Sequence, residues 1–347
     1  MAGATAMAGD GILVLNAGSS SIKLALFGPD GVERLSGRAE GRESGLAGEV
    51  AIKLGETRRT LASSGLDEVI AVLLAMLAEA GARPAAAAHR VVHGGPDLTQ
   101  PVVLTPASRA AIEAAVPLAP LHNPPALAVI DALAAAMPGL VQVACFDTAF
   151  HATNPAVATR YALPDTDETA GLRRYGFHGI SYQGLVARLA ALAGALPGRV
   201  LACHLGNGAS LCAIREGRSV ATTMGYSPLA GLTMGTRSGD IDANAALILA
   251  ERVGIERARR ILNHESGLLG LGGASDMRAL EASDTPAAAF ALEHFTYWAV
   301  RHAGSMIAAM GGLDAVAFTG GIGENAPAIR NGIMAGLAFT GLAVDDA

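Results

Sequence analysis

Cysteine is scarce in this chain of 347 residues, where Cys145, Cys203 and Cys212 make up the full set. Each stands in an apolar, strand-like run, and their spacing fits no metal site, which leaves small core residues in a reduced cytoplasm. Long apolar runs are missing as well. Hydrophobic residues form 51% of the sequence, yet no window reaches the roughly 18 uncharged apolar residues that a spanning helix needs. The excess comes from Ala-rich helical stretches, as in a soluble, tightly packed protein. Met1–Asp10 has neither a basic segment nor an apolar core, so it reads as a loose leader and not as a signal peptide. The net charge is −6 with no basic stripe, which argues against a nucleic-acid partner. Local arginines can still dominate an anion site. No linker or low-complexity tract interrupts the chain, which is long enough for two domains with separate cores. A boundary near 150 gives an N-terminal lobe over 10–150 and a C-terminal lobe over 151–347.

The most informative stretch that is present runs from Ile12 to Leu26, ILVLNAGSSSIKLAL. It reads as strand, tight polar turn, strand. The turn offers backbone N–H groups, three hydroxyls and the Lys23 ammonium, which are the groups a polyphosphate needs. It lacks the G-x-x-x-x-G-K-[ST] spacing and is not a P-loop. A second version occurs at Leu201–Ile214, LACHLGNGASLCAI. Two such units in separate halves suggest a duplicated phosphate-gripping hairpin.

Around the hairpins the chain alternates strand and helix. Helices are expected over Leu66–Ala80, Pro106–Val116, from Asn123 to Pro138, and over Pro286–Met310. Strands are expected over Ala85–His93, Val141–Phe146, Arg199–Arg215, Arg218–Thr223 and Asp314–Thr319. Asp147 follows one of these strands, where α/β folds collect ligands. It either caps the next segment or holds a divalent cation. The pattern as a whole points to an α/β protein of two related lobes with a cleft between them.

Arg90 in HRVVHGG and Arg237 in MGTRSGD lie in apolar surroundings, where a guanidinium must find a partner. That partner is an internal carboxylate or the oxygens of a ligand; the flanking glycines favour the ligand. His122, in the rigid LAPLHNPP loop, either caps the following helix or points into a cleft. His178, in RRYGFHG, interrupts no helical period and reads as functional. Gly321–Asn325 forms a glycine turn ahead of a helix, suited to a nucleotide. Asp276-Met277-Arg278 has the look of a surface helix start.

Taken together, LNAGSSSIK, HRVVHGG, LAPLHNPP, FDTAFH, RRYGFHG, HLGNGAS, MGTRSGDID and TGGIGEN resemble the acetate kinase family, in the family's order and across nearly the whole chain. The resemblance implies two related ribonuclease-H-like lobes of the acetate and sugar kinase/actin-like ATPase fold. It implies reversible phosphoryl transfer between ATP and acetate, giving ADP and acetyl phosphate, with Mg²⁺ or Mn²⁺, in a cytoplasmic homodimer. By matching positions it makes Asn16 a metal-site residue, Lys23 a nucleotide contact, Arg90 the carboxylate contact and Asp147 the essential acid. His178 and Arg237, with His122 beside them, would stabilise the transition state. His204, Leu205, Gly206, Asn207 and Gly208 would cradle phosphates. Asp276, Met277 and Arg278, with Gly321, Ile322, Gly323, Glu324 and Asn325, would hold the adenosine end. Val92, Leu121, Phe177 and Pro228 would receive the acetate methyl.

The chain departs from the family pattern in two places. Ile180-Ser181-Tyr182 stands where relatives read Thr-Ser-His. The pattern also continues past Ala347 through a strand and a closing helix whose glutamate is implicated in metal binding, and that glutamate has no counterpart here. The alternatives are accordingly a propionate kinase or a truncated nucleotide-binding protein with little catalysis. A sugar kinase is disfavoured, because its hydroxyl substrate would need a base while this site is rich in arginine.

Overall fold

The computed structural model describes residues 11–42 and 45–342. The expected leader, Met1–Asp10, and the last five residues lie outside the described residues. The chain divides between Ala149 and Phe150 into two compact units.

In the first unit the opening hairpin forms as strands β1 (Gly11–Ala17) and β2 (Ser21–Phe27), with Asn16 opposite Lys23. Three further strands, β3 (Glu33–Gly41), β4 (Gly48–Leu54) and β5 (Thr57–Ser63), extend the antiparallel ribbon outward. Helix α1 (Leu66–Glu79) follows and leads to β6 (Pro84–Val91), which pairs parallel to β1. The short β7 (Val102–Val103), α2 (Pro106–Ala114) and α3 (Asn123–Ala136) precede β8 (Val141–Phe146), which lies parallel to β6. The sheet order is β5-β4-β3-β2-β1-β6-β8-β7. Period-two alternation sends Leu13 and Leu15 of β1 and Ile22, Leu24 and Leu26 of β2 into a core with Val69, Ile70, Leu73, Met76 and Leu77 of α1. Thr105 caps α2 through a reciprocal hydrogen bond with Ser108. His122 precedes α3, but its side chain makes no capping bond there, so the helix-cap reading of this residue does not hold.

The second unit opens with the short α4 (Ala156–Thr159) and with α5 (Gly179–Ala193). Strands β9 (Arg199–Leu205), β10 (Ala209–Arg215) and β11 (Arg218–Thr222) form an antiparallel meander. Helices α6 (Ala243–Val253), α7 (Ile255–His264), α8 (Gly267–Gly272), α9 (Met277–Glu281) and α10 (Pro286–Met310) come next. Then β12 (Ala315–Thr319) pairs parallel to β9, followed by α11 (Gly320–Asn325) and α12 (Pro327–Gly336). The order β11-β10-β9-β12 repeats the β3-β2-β1-β6 order of the first unit, including which pairs are antiparallel and which parallel. The duplicated hairpin inferred from the sequence is thus part of a larger duplicated element.

Both faces of this second sheet are covered, which is why β10 reads as a continuous apolar run rather than an alternating one. On one face Tyr182 of α5 packs with Val200, Ala202, Cys212 and Ile214. Against the sheet and its flanking helices, α10 presents Ala288, Ala291, Phe295, Ala299, Ala303, Met306 and Met310, a stripe recurring every three or four residues. The small alanines let the helix approach closely, and Phe295, fully buried, is the largest side chain of the stripe. Phe295→Ala is expected to destabilise this unit by about 3–5 kcal/mol, measurable as a lowered midpoint in urea unfolding followed by circular dichroism.

Candidate active site

In the first unit Arg90 points from β6 across the C-terminal end of β8. Its Nε lies 3.1 Å from each Asp147 oxygen, its Nη2 2.5 Å from Oδ2, and its Nη1 donates to Asn16 Oδ1 at 3.2 Å. The Asp147 side chain is only 3% exposed, whereas Arg90 keeps 37%. Burial works against the charged guanidinium, but the Asp147 carboxylate outweighs it and raises the Arg90 pKa. Three of the five N–H donors of a guanidinium are used this way. The remaining two, on the partly exposed side, have the fork geometry that a carboxylate accepts. The internal partner and the ligand are therefore compatible readings of Arg90: Asp147 orients it, and its free edge remains available.

The loops around this group are stitched together by Asn123, which is fully buried. Its Oδ1 accepts from the His93 N–H at 3.1 Å and its Nδ2 donates to the His93 carbonyl at 2.9 Å. The Gly95 N–H donates to His93 Nδ1 at 2.9 Å, which places the imidazole proton on Nε2. HRVVHGG and LAPLHNPP thus form one structure. Of the residues expected nearby, Val92 is buried, Leu121 is 59% exposed, and Lys23 points to solvent from β2.

In the second unit the turn joining β9 and β10, Gly206-Asn207-Gly208, is crowded by side chains from two other segments. A Cβ on Gly208 would lie 3.2 Å from His178 Nε2 and 3.6 Å from Arg237 Nη1, so the imidazole and the guanidinium flank one stretch of bare backbone. The Arg237 loop is held against this turn. Gly235 N–H donates to the Asn207 carbonyl at 3.0 Å, and Arg237 Nη1 donates to the Pro228 carbonyl at 3.1 Å. Gly267, at φ +63°, lies so close under Met234 and Arg237 that a side chain would collide with their carbonyls.

His178 is one of two non-glycine residues with positive φ among those described, at 61°. Such a backbone costs on the order of 1–3 kcal/mol and persists where surrounding contacts impose it. One of those contacts is His151, whose Nε2 lies 2.9 Å from the Phe177 carbonyl and whose Nδ1 lies 2.8 Å from Ser219 Oγ. Burial lowers the His151 pKa to about 4, so the ring is neutral and donates from Nε2. On its other side His178 stacks on His204, with ring centroids 4.1 Å apart, and its Nδ1 lies 2.8 Å from Ser210 Oγ. Phe177 is buried and Pro228 half-buried.

Beside the turn lies a cavity of about 650 Å³, in the range of small-molecule sites. Gly206, Asn207, Asp276, Met277, Arg278, Gly321, Ile322 and Asn325 line it, together with Ser275, Glu281 and Ala326, which sequence reasoning had not singled out. His204, Leu205, Gly208, Gly323 and Glu324 are not in its lining. Leu205 and Gly323 are buried supports of the turn, with the Leu205 carbonyl tight against Gly320. The stretch expected to be a glycine turn ahead of a helix, Gly321–Asn325, is instead within α11, and the helix that Pro327 opens is separate. Asp276 caps α9 through the Arg278 N–H, and Arg278 also grips the carboxylate through its side chain at 2.8 Å, holding the Asp276 pKa down at about 2. A helix start and a pocket wall thus coincide here.

His151, Ser210, Asn123 and His93 were missed as support residues. All four lie in motifs that the sequence displays, FDTAFH, HLGNGAS, LAPLHNPP and HRVVHGG, but their hydrogen-bond partners are far away in the chain. Three buried imidazoles, His89, His93 and His151, have pKa values lowered by burial from the ordinary 6.5 to about 4. The unfolded chain therefore binds protons first as pH falls. The stability these groups contribute is complete above about pH 6.5 and is lost progressively toward pH 4. The melting temperature should fall on going from pH 7 to pH 5, and His89→Gln should shrink that fall; calorimetry across this window checks both.

Comparison with known proteins gives a consistent match along the chain. The acetokinase family model matches residues 11–347. Acetate kinase from Nitrobacter hamburgensis is 43% identical over 350 residues, covering 97% of this chain and 87% of the relative. That from Rhodopseudomonas palustris is 46% identical over 353 residues, covering 97% and 88%. Among solved structures, a propionate kinase from Francisella tularensis superposes with a TM-score of 0.90 at 37% identity, covering 97% of this chain and 90% of that one. Acetate kinase from Porphyromonas gingivalis gives 0.89 at 35% identity, covering 97% and 89%. The family resemblance carried by the motifs and the α/β fold of two related units are both borne out. The chain belongs to the acetokinase family.

Proposed function

We propose that this chain catalyses reversible, ATP-dependent phosphorylation of acetate to acetyl phosphate. The observation that carries this reading is the convergence of His178 Nε2 and Arg237 Nη1 on the bare backbone of Gly208, at the edge of a nucleotide-sized cavity. Such a turn offers the terminal phosphoryl group two side-chain donors and no steric obstacle. The cavity takes the nucleoside, with Asp276, Met277, Arg278, Gly321, Ile322 and Asn325 among its walls.

Acetate is an anion at neutral pH, since carboxylic acids of this kind titrate near 4. The nucleophile needs no base, so no proton has to be removed at Asp147. What the reaction needs is compensation of charge, because a carboxylate must approach a phosphate. Arg90, oriented by Asp147 and Asn16, binds the acetate carboxylate. Arg237 and His178 donate to the phosphoryl oxygens as charge builds on them in a direct in-line transfer without a phosphoenzyme. The family motifs assign His122 to the same step. The family motifs assign Val92, Leu121, Phe177 and Pro228 to the methyl group, and Lys23 and the His204–Gly208 segment to the phosphates.

Mg²⁺ fits the donor chemistry of Asn16 and Asp147, which offer an amide oxygen and a carboxylate, the hard oxygens this ion takes. Both already hold Arg90, and the described residues contain no cluster of three or more His, Cys, Asp or Glu that could cage a metal. That suits an ion carried mainly by phosphates and water, with Asn16 and Asp147 as its protein contacts. When bound, Mg²⁺, or Mn²⁺ in its place, neutralises phosphate charge.

A cytoplasmic location accords with the use of ATP as co-substrate. No helix among the described residues is long and apolar enough to cross a membrane. A homodimer is supported by α6, which has no buried residue and exposes Leu247, Ile248 and Val253, next to Ile255 of α7. Light scattering should return twice the monomer mass, and Leu247→Glu should reduce it to one.

Propionate kinase is the second reading, favoured by the similarity to the Francisella tularensis structure. One methylene in an apolar pocket is worth only about 1–3 kcal/mol, so comparison of kcat/KM for acetate and propionate decides the preferred acid. Trapping acetyl phosphate as the hydroxamate tests the reaction itself. Arg237→Ala should lower kcat by about 10²–10³-fold, the value of one preorganised donor. Arg90→Ala should in addition raise the KM for acetate. Near-normal turnover in Arg237→Ala would reject the assignment.

A further inference from the structure

Beneath His178 lies a row of buried hydroxyls whose order has a chemical consequence, given the reading of His178 as a phosphoryl donor. Tyr182, in the first turn of α5, and Ser210, on β10, are both fully buried. Tyr182 Oη lies 2.5 Å from Ser210 Oγ, and Ser210 Oγ lies 2.8 Å from His178 Nδ1. The sequence puts all three within reach for simple reasons. His178 and Tyr182 are four residues apart at the start of one helix, where the Tyr182 N–H donates to the His178 carbonyl. Ser210 sits directly opposite His204 in the β9–β10 ladder, and His204 is the ring stacked on His178.

Proton positions along this row follow from counting donors and acceptors. Desolvation keeps Tyr182 a phenol, with its pKa well above the ordinary value of 10. Its O–H must find an acceptor, since an unmet buried hydroxyl costs about 1–3 kcal/mol. Among the described residues Ser210 Oγ is the acceptor in reach. With one lone pair of Ser210 occupied by that proton, the Ser210 O–H turns to His178 Nδ1. Nδ1 then accepts, and the single proton of a neutral imidazole resides on Nε2, the atom that faces Gly208.

We propose that Tyr182 and Ser210 are positioning residues that lock His178 in its neutral Nε2–H tautomer, so that it faces the transferred phosphoryl group as a hydrogen-bond donor. The imidazole then donates without having to carry a charge. That matters because His204 stacks on its ring, Arg237 flanks the same glycine, and the Tyr182 phenol stands one hydroxyl away through Ser210. A second proton on His178 would add positive charge beside a guanidinium and a stacked imidazole. His204 has its own fixed partner, Ser181 Oγ, at 2.9 Å from Nδ1.

The full-length protein tests this in two independent ways. Long-range ¹H–¹⁵N NMR of the histidine rings, with His178→Gln used for assignment, should show His178 protonated at Nε2 at pH 8. Resonances of the Nδ1–H tautomer would overturn the proposal without reference to activity. In kinetics, Ser210→Ala frees His178 to adopt either tautomer. Its kcat at pH 8 should fall about tenfold while the KM for ATP changes less than about threefold. In acid, a doubly protonated imidazole carries Nε2–H whatever happens at Nδ1, so the deficit relative to the parent should shrink as pH is lowered. A merely structural defect would not recover in acid. Tyr182→Phe should behave in the same direction with a smaller loss, and Ser210→Thr, which keeps the hydroxyl, should restore the parent profile. A Ser210→Ala profile parallel to the parent at every pH would overturn the proposal. If Ser210→Ala does not fold, Tyr182→Phe and the NMR measurement decide alone. His178→Ala separates the two levels: normal turnover there would reject the catalytic reading of His178, while the NMR result still reports the tautomer.

Discussion

A guanidinium on an inner strand of a sheet is an expensive object, and the first unit is arranged around the one at Arg90. Its charge stays there because Asp147, itself almost wholly buried, approaches from the end of the neighbouring parallel strand and accepts from two of its nitrogens. Neither residue would be tolerable alone. The pairing requires β6 and β8 to be adjacent and in register, with Arg90 level with Cys145 and Val91 level with Phe146. It also requires Asn16, at the end of β1 and level with Arg90, to take up a third N–H. Three parallel neighbours thus deliver their C-terminal ends to one charge, and the orientation of that charge leaves an edge for an anion.

The second unit handles charge differently. Arg237 finds a backbone carbonyl and a thioether as neighbours in its loop, and the loop is shaped by absent side chains. At Gly235 and Gly267 a Cβ would overlap Asn207, Met234 or Arg237. Glycine here permits close approach of one backbone to another, and through it the placing of a cation beside a turn. The strained His178 backbone belongs to the same arrangement, held from one side by His151 through the Phe177 carbonyl and from the other by Ser210. Rigid support of this kind is what preorganised electrostatics needs, since donors that must move on reaction forfeit their advantage.

The repeated strand order gives the two units similar hairpins in different surroundings. The same meander and parallel strand give β1–β2 in one unit and β9–β10 in the other. In the first, the alternation of β2 leaves Lys23 exposed. In the second, α5 and α10 cover both faces, so the turn itself becomes the polar feature.

Much of this was legible in the sequence. Apolar periodicity and end signals located α1, α10 and the strands β1, β2, β6 and β8–β12, because those elements bury a face and carry the pattern that burial imposes. β3, β4 and β5 escaped notice: β5, Thr-Arg-Arg-Thr-Leu-Ala-Ser, is exposed along nearly its whole length and owes its strand form to its neighbour, not to its own composition. The motifs marked Arg90, Asp147, His178 and Arg237 as chemically unusual, since charged or polar residues among glycines and apolar strands need a reason. Which partner each one has was decided by tertiary structure, because Asn16, Arg90 and Asp147, or His178, Tyr182 and Ser210, meet only when strands distant in the chain are laid side by side. Local preferences and burial patterns are written along the chain, whereas hydrogen-bond direction, tautomer and charge pairing depend on distances between segments, which no linear order contains.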